Sequence, residues 1–182
     1  MVFDKELTAR RLTDWVGGME QFDLPDWDSL PQLELYMDQV IILLTQYLGP
    51  LTRGEGEKAI TASIINNYVR MKVMPPPVKK KYARVHLACL IIICVLKQSL
   101  SISCIQKMLP EDHSEEAVRQ LYDDFVRQYR SVTKVFIRHV QSDGDTLLPD
   151  RNGSPVTSSA IISNLSKSLT EYLLWEEQTE EE

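Results

Sequence analysis

The chain has 182 residues, 43% of them hydrophobic and 25% charged, a globular composition that excludes an intrinsically disordered chain and leaves enough length to bury roughly 70% of the unfolded surface. Lys and Arg number 20 against 26 Asp and Glu, a formal net charge of −6, which taken alone argues against a nucleic-acid partner. The charges are sorted, however: Lys58–Pro110 holds nine basic residues (Lys58, Arg70, Lys72, Lys79, Lys80, Lys81, Arg84, Lys97, Lys107) and no acidic one, so a +9 centre lies between flanks that sum to −15.

Residues 1–20 are charged throughout and lack the apolar stretch of a secretory signal. Apolar positions follow helical spacing almost everywhere, so the expected fold is mainly α. A first amphipathic helix runs from about Asp4 to Val16 and is expected to stop at Gly17-Gly18. Phe22–Asp28, with Pro25 and Trp27, reads as an irregular bridge. Ser29 followed by Gln32 resembles a capping box. Beyond it Leu33, Met37, Val40, Leu44 and Tyr47 mark one face of a second helix, which Gly49-Pro50 ends.

Leu51–Ala59 is expected to be a loop, and Thr61 to cap a short helix reaching about Lys72, where Pro75-Pro76-Pro77 forbids continuation. Lys79-Lys80-Lys81-Tyr82 is a short basic excursion. Arg84–Gln98 is the most apolar helix; its ten-residue run Leu87–Leu96 covers about half of a ~30 Å hydrocarbon core and reads as buried in protein, with no membrane partner. Cys89, Cys94 and Cys104 are odd in number and outside Cys-x-x-Cys spacing, which indicates neither a disulfide framework nor a zinc knuckle and fits a reduced, cytoplasmic protein. Ser101 caps a smaller helix, Ile102 to Leu109, and Ser114-Glu115-Glu116 opens a long one to about Val140. A polar loop, Ser142 to Ser154, precedes a last helix from about Pro155 to Trp175 and a glutamate-rich tail. Three segments result: an N-terminal helix and bridge (1–28), a central unit (29–110) and a C-terminal helical pair with an acidic tail (111–182).

The chemistry concentrates between Ile60 and Tyr82. At 100° per residue, Ser63, Asn66, Asn67 and Arg70 share an arc of about 100°, with Ile64, Ile65, Tyr68 and Met71 opposite. Two amides and a guanidinium without a carboxylate suit DNA: Asn pairs bidentately with adenine, and Arg does so with guanine or grips phosphate. The prolines then stiffen a loop that projects three lysines, a wing able to straddle a phosphate backbone. A solvated cationic face satisfies the same pattern.

Thr61 opens this helix, Ile65 and Tyr68 pack it, Arg70 follows, and Val73-Met74-Pro75-Pro76 lead toward the wing. Tyr82 returns from it, Leu87 and Leu90 mark the next helix, and Leu100-Ser101-Ile102 with Ile105 the one after. Over about 50 of the 182 residues this ordered set is similar to the DNA-binding half of MerR-type winged helix-turn-helix regulators. The resemblance implies a mainly α protein with a MerR-like winged helix-turn-helix unit and additional N- and C-terminal helices, binding double-stranded DNA through a recognition helix (61–72) and a wing (79–82). Three departures stand out. Some twelve residues, Gly49–Ile60, separate the first helix from the recognition helix. Lys72 replaces a helix-ending glycine, at ~1 kcal/mol if it is left-handed. Ala83-Arg84-Val85-His86 replaces a hydroxyl cap followed by acidic residues, which puts Arg84 against the helix dipole and leaves the wing more positive.

A closer set, Leu35-Tyr36-Met37-Asp38-Gln39-Val40, Ile64-Ile65-Asn66-Asn67-Tyr68-Val69 and Pro75-Pro76-Pro77-Val78-Lys79-Lys80-Lys81-Tyr82 with Leu96-Lys97-Gln98, resembles an uncharacterised Gram-positive bacterial family, domain of unknown function eighteen thirty-six, over roughly residues 25–140.

The candidate DNA-contacting residues are thus Thr61, Ser63, Asn66, Asn67, Arg70, Lys72, Lys79, Lys80, Lys81, Tyr82 and Arg84. His86 beside Cys89 reads as a satisfied core histidine, with too few ligands for a metal. The Asp143, Asp145, Asp150 loop lacks the order of an EF-hand, and Asn152-Gly153-Ser154 is a glycosylation pattern without secretion. No phosphate loop or nucleophile–base pair is legible, so neither an enzyme nor a cofactor is expected. The stripe Val118, Tyr122, Phe125, Tyr129, Val132 and Phe136 suits either a twofold mate, making a homodimer through the C-terminal helices, or the chain's own helix carrying Ile161, Leu165, Leu169 and Leu173. The expected function is a DNA-binding transcriptional regulator. The competing class is a helical protein-interaction module whose basic patch meets an acidic protein or the chain's own acidic tail.

Overall fold

The computed structural model describes residues 5–51, 60–142 and 155–176. Among them are seven α-helices and two short strands, the mainly helical architecture that the spacing predicts. The expected loops at 51–59 and 142–154 lie, apart from Leu51 and Ser142, outside the described residues, as does the tail from 177 on. The chain divides into two compact units, Leu24–Gln128, and Met1–Asp23 with Tyr129–Glu182.

The first unit opens with the buried side chains of Leu24, Trp27 and Leu30. Trp27 stacks edge-on to Tyr122 at 6.1 Å, and the Tyr122 hydroxyl donates to the Pro25 carbonyl at 2.8 Å. Ser29 belongs to a single 3-10 turn, Trp27–Ser29, and caps no helix. The cause is Pro31: the residue before a proline is driven out of the helical region, and Leu30 is accordingly extended at φ −70, ψ 144. Leu33, expected on the second helix's core face, is 80% exposed. The chain instead forms strand β1 (Leu35–Tyr36), and α2 (Met37–Leu48) starts there. Its first turn is held by the Tyr36 N–H donating to Gln39 Oε1 at 2.9 Å, half of a capping box. Val40, Leu44 and Leu48 are its buried line, and Gly49 ends it as expected.

Helix α3 (Ala62–Arg70) packs against α2. Strand β2 (Lys81–Tyr82) pairs antiparallel with β1, Leu35 opposite Tyr82 and Tyr36 opposite Lys81. Helix α4 (Arg84–Leu96) is the centre of this unit, touching α2, β2 and α5 (Ile102–Met108). Every residue from His86 to Ile93 is buried, and each large aliphatic side chain among them contributes about 1.5–3 kcal/mol of apolar burial. Ser101 caps α5 as expected, its Oγ accepting from the Cys104 N–H at 3.2 Å.

Helix α6 (Glu115–Ser142) begins where the sequence predicts, the Ser114 Oγ accepting from the Ala117 N–H at 3.4 Å. Its Val118, Tyr122 and Val126 are buried in the first unit. In the second unit, α6 from Tyr129 on meets α1 (Lys5–Gln21) through the edge-on pair Trp15–Phe136 at 5.9 Å and the residue just after α1 through Phe22–Tyr129 at 6.0 Å. Gly17-Gly18 does not end α1 as expected: these ring pairs flank the glycines and hold the helix through them. Packing outweighs a propensity cost of about 1 kcal/mol per glycine. Helix α7 (Pro155–Glu176) completes this unit, with Ile161, Leu165, Leu169 and Leu173 all more than half exposed.

Candidate nucleic-acid interface

The interface is built on α3. Thr61, extended at φ −131, ψ 161, caps it by accepting from the Ile64 N–H at 3.3 Å, so its hydroxyl serves the helix. The C-terminus closes through Lys72, left-handed at φ 57: the Lys72 N–H donates to the Val69 carbonyl and the Val73 N–H to the Tyr68 carbonyl, both at 3.0 Å. That is a Schellman ending, in which lysine holds the position glycine favours. It turns the chain so that Val73 and Met74 are buried while Lys72 stays exposed.

Between these ends the helix divides as the spacing predicts. Ile65 and Tyr68 are buried, whereas Met71, expected on the core face, is 39% exposed because it lies in the turn leaving the helix. Burial raises the Tyr68 phenol above its ordinary range, keeping it a neutral packing residue. On the outer face Ser63, Asn66 and Arg70 are exposed. Arg70 Nη2 donates to Asn67 Oδ1 at 2.6 Å, and Asn67 Nδ2 donates to Met71 Sδ at 3.4 Å, so these side chains are oriented before any ligand arrives. Ser63, Asn66, Asn67 and Arg70 line a shallow groove, to which Lys97, the C-cap of α4, is added. A second groove on the other side of Arg70 is bordered by Lys72, Ser103, Gln106 and Lys107, with Glu111 also lining it.

The lysine excursion is a tight hairpin. Val78 and Lys81 exchange backbone hydrogen bonds at 3.2 and 2.9 Å, and the two residues between them, Lys79 and Lys80, have φ of 50 and 64. Both central residues at positive φ define the type I′ turn, which matches strand twist but prefers Asn-Gly. Lys79 and Lys80 stand exposed at its tip. Lys81 is partly engaged, 3.7 Å from Glu34 and 5.8 Å from the Tyr36 ring centroid.

Two candidate contact residues point elsewhere. Tyr82 is 2% exposed, its ring edge-on to His86 at 5.5 Å, so it anchors the hairpin and reaches no surface ligand. Arg84 is turned inward by its neighbours. Its guanidinium lies over Trp27 at 5.6 Å, Nη2 donates to the Leu30 carbonyl at 3.0 Å, and Nη1 lies 3.9 Å from Asp28. It therefore braces the bridge, and the wing gains no charge from it. Lys97 and Gln106 are the residues that local pattern did not single out. Their placement beside α3 depends on the packing of α4 and α5.

His86 makes the half of a capping box that does not need a hydroxyl at Ala83. Its Nδ1 accepts from the Ala83 N–H at 2.9 Å, which leaves Nε2 as the donor to the Pro76 carbonyl at 3.2 Å. Among the described residues no group of three or more His, Cys, Asp or Glu could hold a metal ion, and no helix is long and apolar enough to cross a membrane. The α6 stripe is largely used inside the chain: Val118 and Tyr122 are buried, and Tyr129 and Phe136 meet α1, while Val132 is 66% exposed and Phe125 half-buried. The helix expected as its partner inside the chain leaves its own apolar residues exposed.

A helix with an amide-rich face and a lysine-tipped hairpin, both carried on a helical core, are the surface elements that these residues define. The chain belongs to the DUF1836 family, a domain of unknown function, whose model matches residues 25–125. No curated protein and no solved structure matches it.

Proposed function

We propose that the chain is a DNA-binding transcriptional regulator acting in the cytoplasm, with α3 as its recognition helix and the Val78–Lys81 hairpin as a MerR-like wing. The observation that carries this reading is the hairpin tip. Two lysines occupy the left-handed positions of a type I′ turn, at a cost of roughly 1 kcal/mol or more each, where Asn-Gly would be unstrained. Backbone strain concentrates where function demands it, and here it displays two exposed cations, Lys79 and Lys80, at the tip of a hairpin.

In this reading Asn66 and Asn67 face base edges, Ser63 assists, and Arg70, Lys72, Lys79, Lys80 and Lys97 meet phosphates. The test is selection of bound duplexes from a random pool, followed by anisotropy at graded salt. A preferred sequence is expected, with Asn66→Ala/Asn67→Ala costing about 1–3 kcal/mol on it and little on random DNA. A chain that binds an acidic peptide as tightly as duplex DNA, with no sequence preference, refutes the assignment in favour of a protein-interaction module.

A further inference from the structure

Helix α7 carries an apolar face that stands largely exposed among the described residues. At 100° per residue, Ile161, Ile162, Leu165, Leu169, Tyr172 and Leu173 share an arc of about 120°, with exposures running from 36% at Ile162 to 63% at Leu165. Ile162, Leu165, Leu169 and Tyr172 follow at steps of three, four and three, the seam of a coiled coil. The helix needs such cover. Five serines, two threonines, Val156, Ile161, Ile162 and Asn164 give its 22 residues poor intrinsic helicity, and helices of this kind persist through packing of their apolar face.

We propose that the same face of a second copy covers it, forming a twofold dimer through α7. Half-exposed side chains of these six types present about 600 Å² per copy, so that their complete burial in two copies removes about 1,200 Å², the lower bound of a stable interface. The arc holds no charge between Ile161 and Leu173, and Lys167 and Glu171 pair with each other at 3.9 Å off the seam. The face can therefore meet itself without like-charge repulsion. A lipid surface fits poorly, since interfacial helices carry clustered basic residues on their polar face and α7 has Lys167 alone. The dimer lies outside the family-matched segment 25–125 and does not depend on DNA binding.

Sedimentation equilibrium of the full chain from about 1 to about 100 micromolar is expected to give twice the 20.9 kDa chain mass, with amide exchange of α7 slowing as concentration rises. Leu165→Glu/Leu169→Glu is expected to be monomeric, with helical circular dichroism lost from α7 alone and the thermal unfolding of the remainder unchanged, and Val132→Glu to remain dimeric. Should the glutamate pair unfold the chain, Leu165→Ala/Leu169→Ala decides, with dissociation about a thousandfold easier because four leucines are truncated in the dimer. A monomer at the highest concentration, a dimer unmoved by the α7 substitutions, or one abolished by Val132→Glu overturns the proposal.

Discussion

Replacing the hairpin tip with the residues its backbone favours, Lys79→Asn/Lys80→Gly, separates strain from function in one variant. Lys79 and Lys80 sit at φ 50 and 64, and a left-handed conformation costs a side-chain-bearing L-residue ~1–2 kcal/mol. Asn tolerates it and Gly pays nothing in sterics, but Gly loses about 0.5–1 kcal/mol more in chain entropy. The net expectation is a gain of about 1–2 kcal/mol, or about 4–8 °C in Tm for a unit of this size. Binding moves the other way. With Arg70, Lys72, Lys79, Lys80 and Lys97 each neutralising one phosphate, log affinity falls against log salt with a slope of about −4.5 for one bound chain, and the variant's slope is about −2.7. Between about 50 and about 200 mM salt the parent thus loses roughly 500-fold in affinity and the variant roughly 40-fold. Thermal unfolding by circular dichroism and anisotropy with a labelled duplex read the two halves. A Tm that fails to rise refutes the strain argument, and an unchanged salt slope refutes the wing.

Other outcomes follow from the same geometry. Lys72→Gly relieves the left-handed residue of the Schellman ending and is expected to raise the denaturation midpoint by the equivalent of ~1 kcal/mol, while Lys72→Ala gives no such gain. His86→Ala strips the Ala83 N–H and the Pro76 carbonyl of their partner and is expected to cost about 2–4 kcal/mol in urea unfolding. His86→Gln keeps an acceptor at that helix position and is expected to recover part of it. Burial pushes the Cys89 and Cys94 thiols up to about 12, so a thiol reagent at about pH 8 should titrate Cys104 first and the other two only on unfolding. Because those folded values lie above the unfolded one, the unfolded chain releases protons first as pH rises. The stabilisation is complete below about pH 9 and is lost toward pH 12, falling by roughly 3 kcal/mol per pH unit for the pair.

What was legible in the sequence was whatever is decided within one turn of helix. Thr61, Ser101 and Ser114 mark helix starts because a hydroxyl three residues ahead of an N–H is a local matter, and the resemblance to MerR-type regulators, in which a glycine ends this helix, marks Lys72 as the residue that would turn left-handed. The failures are decided at a distance, or by a neighbour overlooked. Ser29 and Gln32 fit a capping box, yet Pro31 between them forces Leu30 out of the helical region. The strand that forms instead pairs Leu35 with Tyr82, a partner no local window contains. Gly17-Gly18 reads as a stop until Trp15 and Phe22 find Phe136 and Tyr129. Arg84 looked like part of the basic face because its charge was visible and Trp27, Leu30 and Asp28 around it were not. The amide and arginine face of α3 was legible from a single periodicity, but Lys97 reaches that groove through the packing of α4.

The two bonds of His86 join residue 76, where the chain departs for the hairpin, to residue 83, where it returns. The neck of the excursion is therefore tied to the first turn of the most deeply buried helix, and beyond it Lys79 and Lys80 stand exposed at the tip, outside the paired residues of the hairpin. An interior that is costly to alter thus carries a fingertip that is cheap to alter. Mutation can retune what those two residues touch at a change in stability of only about 1–2 kcal/mol.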